Sequence, residues 1–166
     1  MQFLMDNVKF IQSRLPLADG LNAGSTAVLD MREYDKVCFQ ISIGSIASGA
    51  DITLTVNACD NATPDTEAAS YFWYTVDTDL GNSPAAKTRA NTYNWTCADG
   101  AADQLILIEA TAADLKTASG STFDLGGCRL TIAENANKTC AASITAILHP
   151  ARHSGAVESM PAGLHA

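Results

Sequence analysis

Charge is scarce in this 166-residue chain: 17% of residues are charged, and 18 Asp+Glu against 10 Lys+Arg leave a formal net charge of -8. The few cations form no cluster, so the counterion release that drives nucleic-acid binding has no source, and no nucleic-acid partner is expected. Long apolar runs are missing as well. The longest candidate, Leu105 to Ile108, falls far short of the ~18 residues a membrane span needs and reads as a buried strand, so no membrane association is expected. The opening Met1 to Asp6 has neither a basic segment nor the apolar core of a secretory signal, which points to a protein made in a cytoplasm. Large apolar side chains are thin too, since Leu, Ile, Val and Phe together make about 21% of the chain. The low charge content nevertheless argues for a folded domain over disorder.

Chemical motifs are equally sparse. Cys38, Cys59, Cys97, Cys128 and Cys140 are odd in number and include no Cys-x-x-Cys. In a reducing compartment such residues act as small buried hydrophobes. His149 and His153 have the i, i+4 spacing of paired metal ligands, but Pro150 lies between them and no glutamate or cysteine pair accompanies them. Asp77 and Asp79 lack the Asp-x-Asp-x-Asp-Gly spacing of a calcium loop. Gly44 to Gly49 is a Gly/Ser turn and not Gly-x-Ser-x-Gly, and no phosphate-binding glycine loop occurs. No enzymatic activity, metal or cofactor is expected.

What the chain has is alternation. Val37, Phe39, Ile41 and Ile43 alternate with Cys38, Gln40 and Ser42, and Ile52, Leu54, Val56 and Ala58 alternate with Thr53, Thr55 and Asn57. Both are half-buried strands, and the turn at Gly49 to Asp51 between them predicts a hairpin or near-neighbour pair. Further strands are expected at Asn7 to Ile11, Ala27 to Leu29, Tyr71 to Val76, Gln104 to Ala110, Cys128 to Ala133 and Ala141 to Leu148. Parity sends Cys128 and Cys140 into the core and Cys38 to the opposite face. Loops rich in turn-forming residues are expected at Asn57 to Glu67, Gly81 to Asn91 and Ser119 to Gly127, with one helical turn at Ala110 to Ala118 capped by Thr111. The fold class is all-β: a single-domain antiparallel β-sandwich, jelly-roll-like, over residues 7–149, with an extended N-terminal arm at 1–6 and a C-terminal tail at 150–166.

Tyr71, Phe72, Trp73 and Tyr74, with Tyr93 and Trp95 beyond a loop, hold most of the aromatic residues in a chain only 7% aromatic. Alternation puts Tyr71 and Trp73 on one face and Phe72 and Tyr74 on the other, so one pair fills the core while the other is free to anchor a protein or stack on a sugar. At the N-terminus Phe3, Leu4 and Met5 are three apolar side chains that need a cover, from this chain or from a neighbouring subunit.

The segments Asp6-Asn7-Val8-Lys9-Phe10-Ile11, Leu29-Asp30-Met31, Tyr34-Asp35-Lys36-Val37, Ile52-Thr53-Leu54-Thr55-Val56 leading to Cys59-Asp60, Leu130-Thr131-Ile132, and Leu148-His149-Pro150-Ala151-Arg152-His153 resemble a family of short structural proteins of tailed bacteriophages, encoded among the head genes. The resemblance spans most of the chain. It implies a virion protein on the capsid exterior, assembled in the host cytoplasm, that decorates and cements the shell. The major capsid protein would be its partner, and it would sit on the shell as a homo-oligomer, with a trimer favoured. The candidate interface residues are Phe3, Leu4, Met5, Trp73 and Trp95. A neck or tail component is the alternative within the particle, and a carbohydrate-binding module using Trp73 or Trp95 is the alternative outside it.

Overall fold

The structure, a computed structural model, describes residues 8–17, 21–46, 51–61, 63, 66–77, 86–96, 104–119, 126–134 and 140–151. In chain order its elements are β1 (Lys9–Leu17), β2 (Gly24–Ser25), β3 (Leu29–Asp30), β4 (Tyr34–Ile46), β5 (Asp51–Cys59), β6 (Glu67–Ala69), β7 (Phe72–Asp77), β8 (Thr88–Ala90), β9 (Tyr93–Thr96), β10 (Gln104–Thr111), α1 (Ala112–Ala118), β11 (Gly127–Glu134) and β12 (Cys140–Ala151). Every strand pair is antiparallel. Sheet A runs β1-β12-β4-β10-β7-β8, and sheet B centres on β11 and β5, with β2 and β3 beside β11 and β6 and β9 beside β5.

The alternating residues put one apolar face of each sheet against the other. From sheet A, Val37, Phe39, Ile41, Ile106, Ile108, Phe72, Ile144 and Leu148 are buried, and from sheet B, Ile52, Leu54, Val56, Cys128, Leu130 and Ile132 meet them. The core manages with few large side chains because small ones complement them in register: Phe39 lies between Ala146 of β12 and Ile108 of β10. Tyr74 of sheet A and Tyr93 of sheet B stack across the layers with ring centres 4.4 Å apart. Burial, with Tyr74 alongside, pushes the Tyr93 phenol up to about 12. The chain is thus an all-β antiparallel sandwich.

One expectation is overturned. β4 and β5 are not a hairpin: β4 pairs with β10 and β12 in sheet A, whereas β5 pairs with β11, β6 and β9 in sheet B. Between β4 and β5 the chain passes from one sheet to the other. Both strands still bury their apolar residues, because the core they fill lies between the sheets.

Boundaries also shift. β1 continues beyond Ile11 to Leu17, β5 reaches Cys59 inside the stretch read as a loop, and β8 occupies part of 81–91. In place of a strand at Ala27 to Leu29 there are two short ones, β2 and β3. β12 runs through Pro150 to Ala151, two residues into the segment read as tail. The helical turn forms as expected. Asp114 N donates to Thr111 Oγ1 at 3.0 Å, Thr111 Oγ1 donates to Asp114 Oδ2 at 2.7 Å, and Leu115 is buried beneath. The helix packs on β4 and β10 of one sheet and β5 of the other, covering one end of the sandwich.

Candidate functional site

The two outward faces of the sandwich differ in chemistry. On sheet B the outward side chains are polar and most of them pair with one another. Asn57 Nδ2 donates to Glu67 Oε2 at 2.9 Å and to Thr131 Oγ1 at 3.0 Å, Thr131 and Ser25 hydroxyls lie 3.2 Å apart, and Thr53 Oγ1 donates to Asn94 Oδ1 at 2.9 Å. Arg129 pairs with Glu67. The buried Arg129 Nε has no partner among the described residues, but most polar groups of this face are half-buried and matched within it, which leaves little for a partner.

Sheet A is built otherwise. Directly paired residues share a face, so register places Phe10, Ile147, Cys38, Glu109, Trp73 and Arg89 in one row across all six strands. The next row is Gln12, Thr145, Gln40, Leu107 and Thr75. Phe10 is 53% exposed, Tyr71 54% and Trp73 38%, while Leu105, Leu107 and Ile147 are half-buried. The expected split of the aromatics holds, with Phe72 wholly buried and Tyr71 and Trp73 outward. Cys38, Trp73, Tyr74, Thr75, Lys87, Leu107 and Glu109 line a shallow depression of about 60 Å³. Small-molecule pockets have several times that volume, so the surface suits a broad protein contact and not an enclosed ligand.

Charge frames the depression. Lys36 and Lys87 flank the same Glu109 oxygen at 3.8 and 3.9 Å. Arg89 Nη2 donates to Asp114 Oδ1 at 2.8 Å, and its guanidinium carbon sits 5.2 Å from the centre of the Tyr71 ring.

The chain matches no protein-family model, no curated protein and no solved structure.

Of the residues singled out in the sequence, Trp73 lies on this face. Trp95 is in β9 opposite Ile52, but its side chain, together with Phe3, Leu4, Met5, Cys97 and His153, lies outside the described residues. The remaining members, Phe10, Lys36, Lys87, Arg89, Leu107, Glu109 and Ile147, escaped the sequence reading. One signal was available: in Leu105 to Ile108 and in Ile144 to Leu148 the alternation breaks, so that both faces of a strand are apolar, the pattern of a strand covered on both sides.

Among the described residues, Cys38, Cys59, Cys128 and Cys140 form no disulfide with one another. Burial first, then Glu109, pushes the Cys38 thiol up to about 11, and burial with Glu67 does the same for Cys59. Cys128 is pushed up further by burial with Cys59 nearby. Protonated thiols are poor nucleophiles. Alkylation at neutral pH, read peptide by peptide, is expected to spare Cys59, Cys128 and Cys140 in the native protein and to modify all of them once it is denatured. Rapid native labelling of Cys128 or Cys140 would contradict their inward register. Among the described residues, no three His, Cys, Asp or Glu side chains are grouped to hold a metal ion, and no helix is long and apolar enough to cross a membrane.

Proposed function

We propose that this chain is a structural protein of a bacteriophage virion that decorates and stabilises the capsid shell, binding the major capsid protein from outside as a homo-oligomer, with a trimer favoured. The observation that carries the reading is the difference between the two outward faces: one is polar and largely paired within itself, while the other offers Phe10, Trp73, Tyr71, Leu107 and Ile147 to a partner. The strand order supports it. When β2 and β3 count as one strand, and β6 and β9 as another, the sheet orders β1-β12-β4-β10 and β2/β3-β11-β5-β6/β9 are those expected of a jelly-roll-like double Greek key, with β7 and β8 appended to the edge of sheet A. The mechanism is linkage: a protein that binds only the assembled lattice stabilises that lattice by its binding free energy, and several copies held together add avidity.

Shells assembled without this protein are expected to form but to open at lower temperature or under milder osmotic shock than complete ones. Adding purified protein should restore their resistance. Unaltered robustness, or failure of shells to form at all, would remove the cementing reading. The exposed Trp73 favours a second reading, a sugar-stacking module, and a glycan-binding screen separates the two.

A further inference from the structure

We infer that β1 is an exchangeable strand: the edge of β12 that it covers takes the β1 of a second copy of this chain, so that neighbouring copies are tied together by strands they swap. This rests on the homo-oligomer of the decoration reading and adds the surface through which its copies join.

Little besides its ladder holds β1 to the sandwich. Among its described side chains Lys9, Phe10, Gln12 and Leu15 are exposed, Ile11, Ser13 and Arg14 are half-buried, and only Ile11 packs against the core. The ladder itself is broken. Register shifts fall between Gln12 and Arg14 and between Arg14 and Leu17, and Pro16 has no N–H to donate. At the first break the Gln12 side chain substitutes for the backbone, its Nε2 donating to Ile144 O at 3.2 Å and to Arg14 O at 2.6 Å. Ser13 Oγ, enclosed at the same place, has no hydrogen-bond partner. Arg14 Nη1 does donate to Asn22 O and Oδ1, but at an exposed site where water competes.

The strand beneath is the opposite case. Cys140, Ala142, Ile144, Ala146 and Leu148 of β12 are buried, and its pairing with β4 extends from Cys140 to Ala151 with one register shift. Lifting β1 therefore leaves the core in place and opens a long hydrogen-bonding edge on β12.

Register selects what takes that edge. The sequence Lys9–Leu17 is seen to fit it, and a second copy brings the same sequence with the same pairs: Lys9 with Leu148, Phe10 with Ile147, Ile11 with Ala146 and Gln12 with Thr145. Exchange remakes the pairs it breaks, so it costs little beyond bringing the copies together. Adding a strand outside β1 is disfavoured, because the register shifts and Pro16 blunt that edge, and β8 at the far side of the sheet has only three residues. Leu21 is buried in its own sandwich. The stretch of chain from Leu17 to Leu21 spans at most about 14 Å when extended, so exchanging copies must lie side by side.

The test is a cross-link that a closed chain cannot make. Gln12→Cys and Thr145→Cys, at directly paired positions, are placed on separate full-length chains produced together in one cell and oxidised after purification. A disulfide between positions 12 and 145, identified by mass, is expected in the oligomeric fraction at ten or more times the yield of a control pair, Gln12→Cys with Ala69→Cys on sheet B. One chain carrying both Gln12→Cys and Thr145→Cys establishes that the pair can close, and Ile11→Cys with Ala146→Cys replaces it if it cannot. Three results would overturn the inference: a wild-type chain that stays monomeric at every concentration in sedimentation equilibrium, an oligomer without the link, or a control pair that links equally well. None of these measurements uses shells. Exchange can therefore fail while shell stabilisation is observed, and a chain that exchanges strands but leaves shells no tougher would sustain this inference and remove the decoration reading.

Discussion

Replacing Gly127 by alanine is expected to destabilise the protein by about 3 kcal/mol, the upper end of the usual cost of forcing atoms into a packed site. Gly127 opens β11, where it pairs with Asp30 of β3 and Cys59 of β5. A Cβ there would lie 2.3 Å from the Leu29 carbonyl oxygen and 2.7 Å from Val28 Cγ1. The carbonyl belongs to a strand held by its own pairing, so it cannot swing aside as the end of a long side chain would. At this chain length the loss corresponds to a melting temperature roughly 6–12 °C lower. Gly44 is the control, since a Cβ at that position meets Ala141 O at 3.7 Å, an ordinary contact. Gly44→Ala should be neutral or gain a few tenths of a kcal/mol through a less flexible unfolded chain. Equal melting temperatures for the two variants would mean that β3 and β11 do not approach this closely.

Phe39→Ala should cost about 3–5 kcal/mol, the range for deleting a fully buried aromatic side chain. Phe39 is wholly buried at the middle of β4, and the alanine beside it on β12 cannot expand into the void. Denaturant unfolding should show a lower midpoint with an unchanged slope, because the surface exposed on unfolding is nearly the same. A loss under 1 kcal/mol would show that the sheets close over the gap. Trp73→Ala makes the useful contrast. Its side chain lies on the outward face and is 38% exposed, so its removal should cost clearly less than that of Phe39, and the melt of the variant separates a binding defect from unfolding.

The strands were legible because alternation is a direct consequence of a half-buried sheet. The inward sets of β4, β5, β10, β11 and β12 follow from it, as does the outward position of Cys38. Alternation says which side of a strand is buried but is silent on which strand lies next to it. Gly49, Ala50 and Asp51 would serve equally in a hairpin or in a crossing between sheets, and hence the pairing of β4 with β5 was misread. The outward cluster was illegible for a related reason. Cys38, Trp73, Arg89 and Glu109 come from four strands spread between positions 38 and 109, and only the register of sheet A puts them in one row. No local spacing encodes that row.

The place of β12 has a bearing on how the protein is made. This strand lies between β1 and β4, with Ile147 beside Phe10 and Leu148 beside Val37. A ribosome adding about 5–20 residues per second needs roughly 5–20 s after finishing β4 before β12 follows it out. Through that interval the nascent chain carries two strands from its first third with no common neighbour, their hydrogen-bonding edges open to other chains. β4, β10, β7 and β8 can pair as they emerge, but β1 joins sheet A only through β12, so completion of the sheet waits for that strand. Until β12 emerges, β1 and one edge of β4 are therefore open to pairing with other nascent chains, a hazard that grows with crowded synthesis.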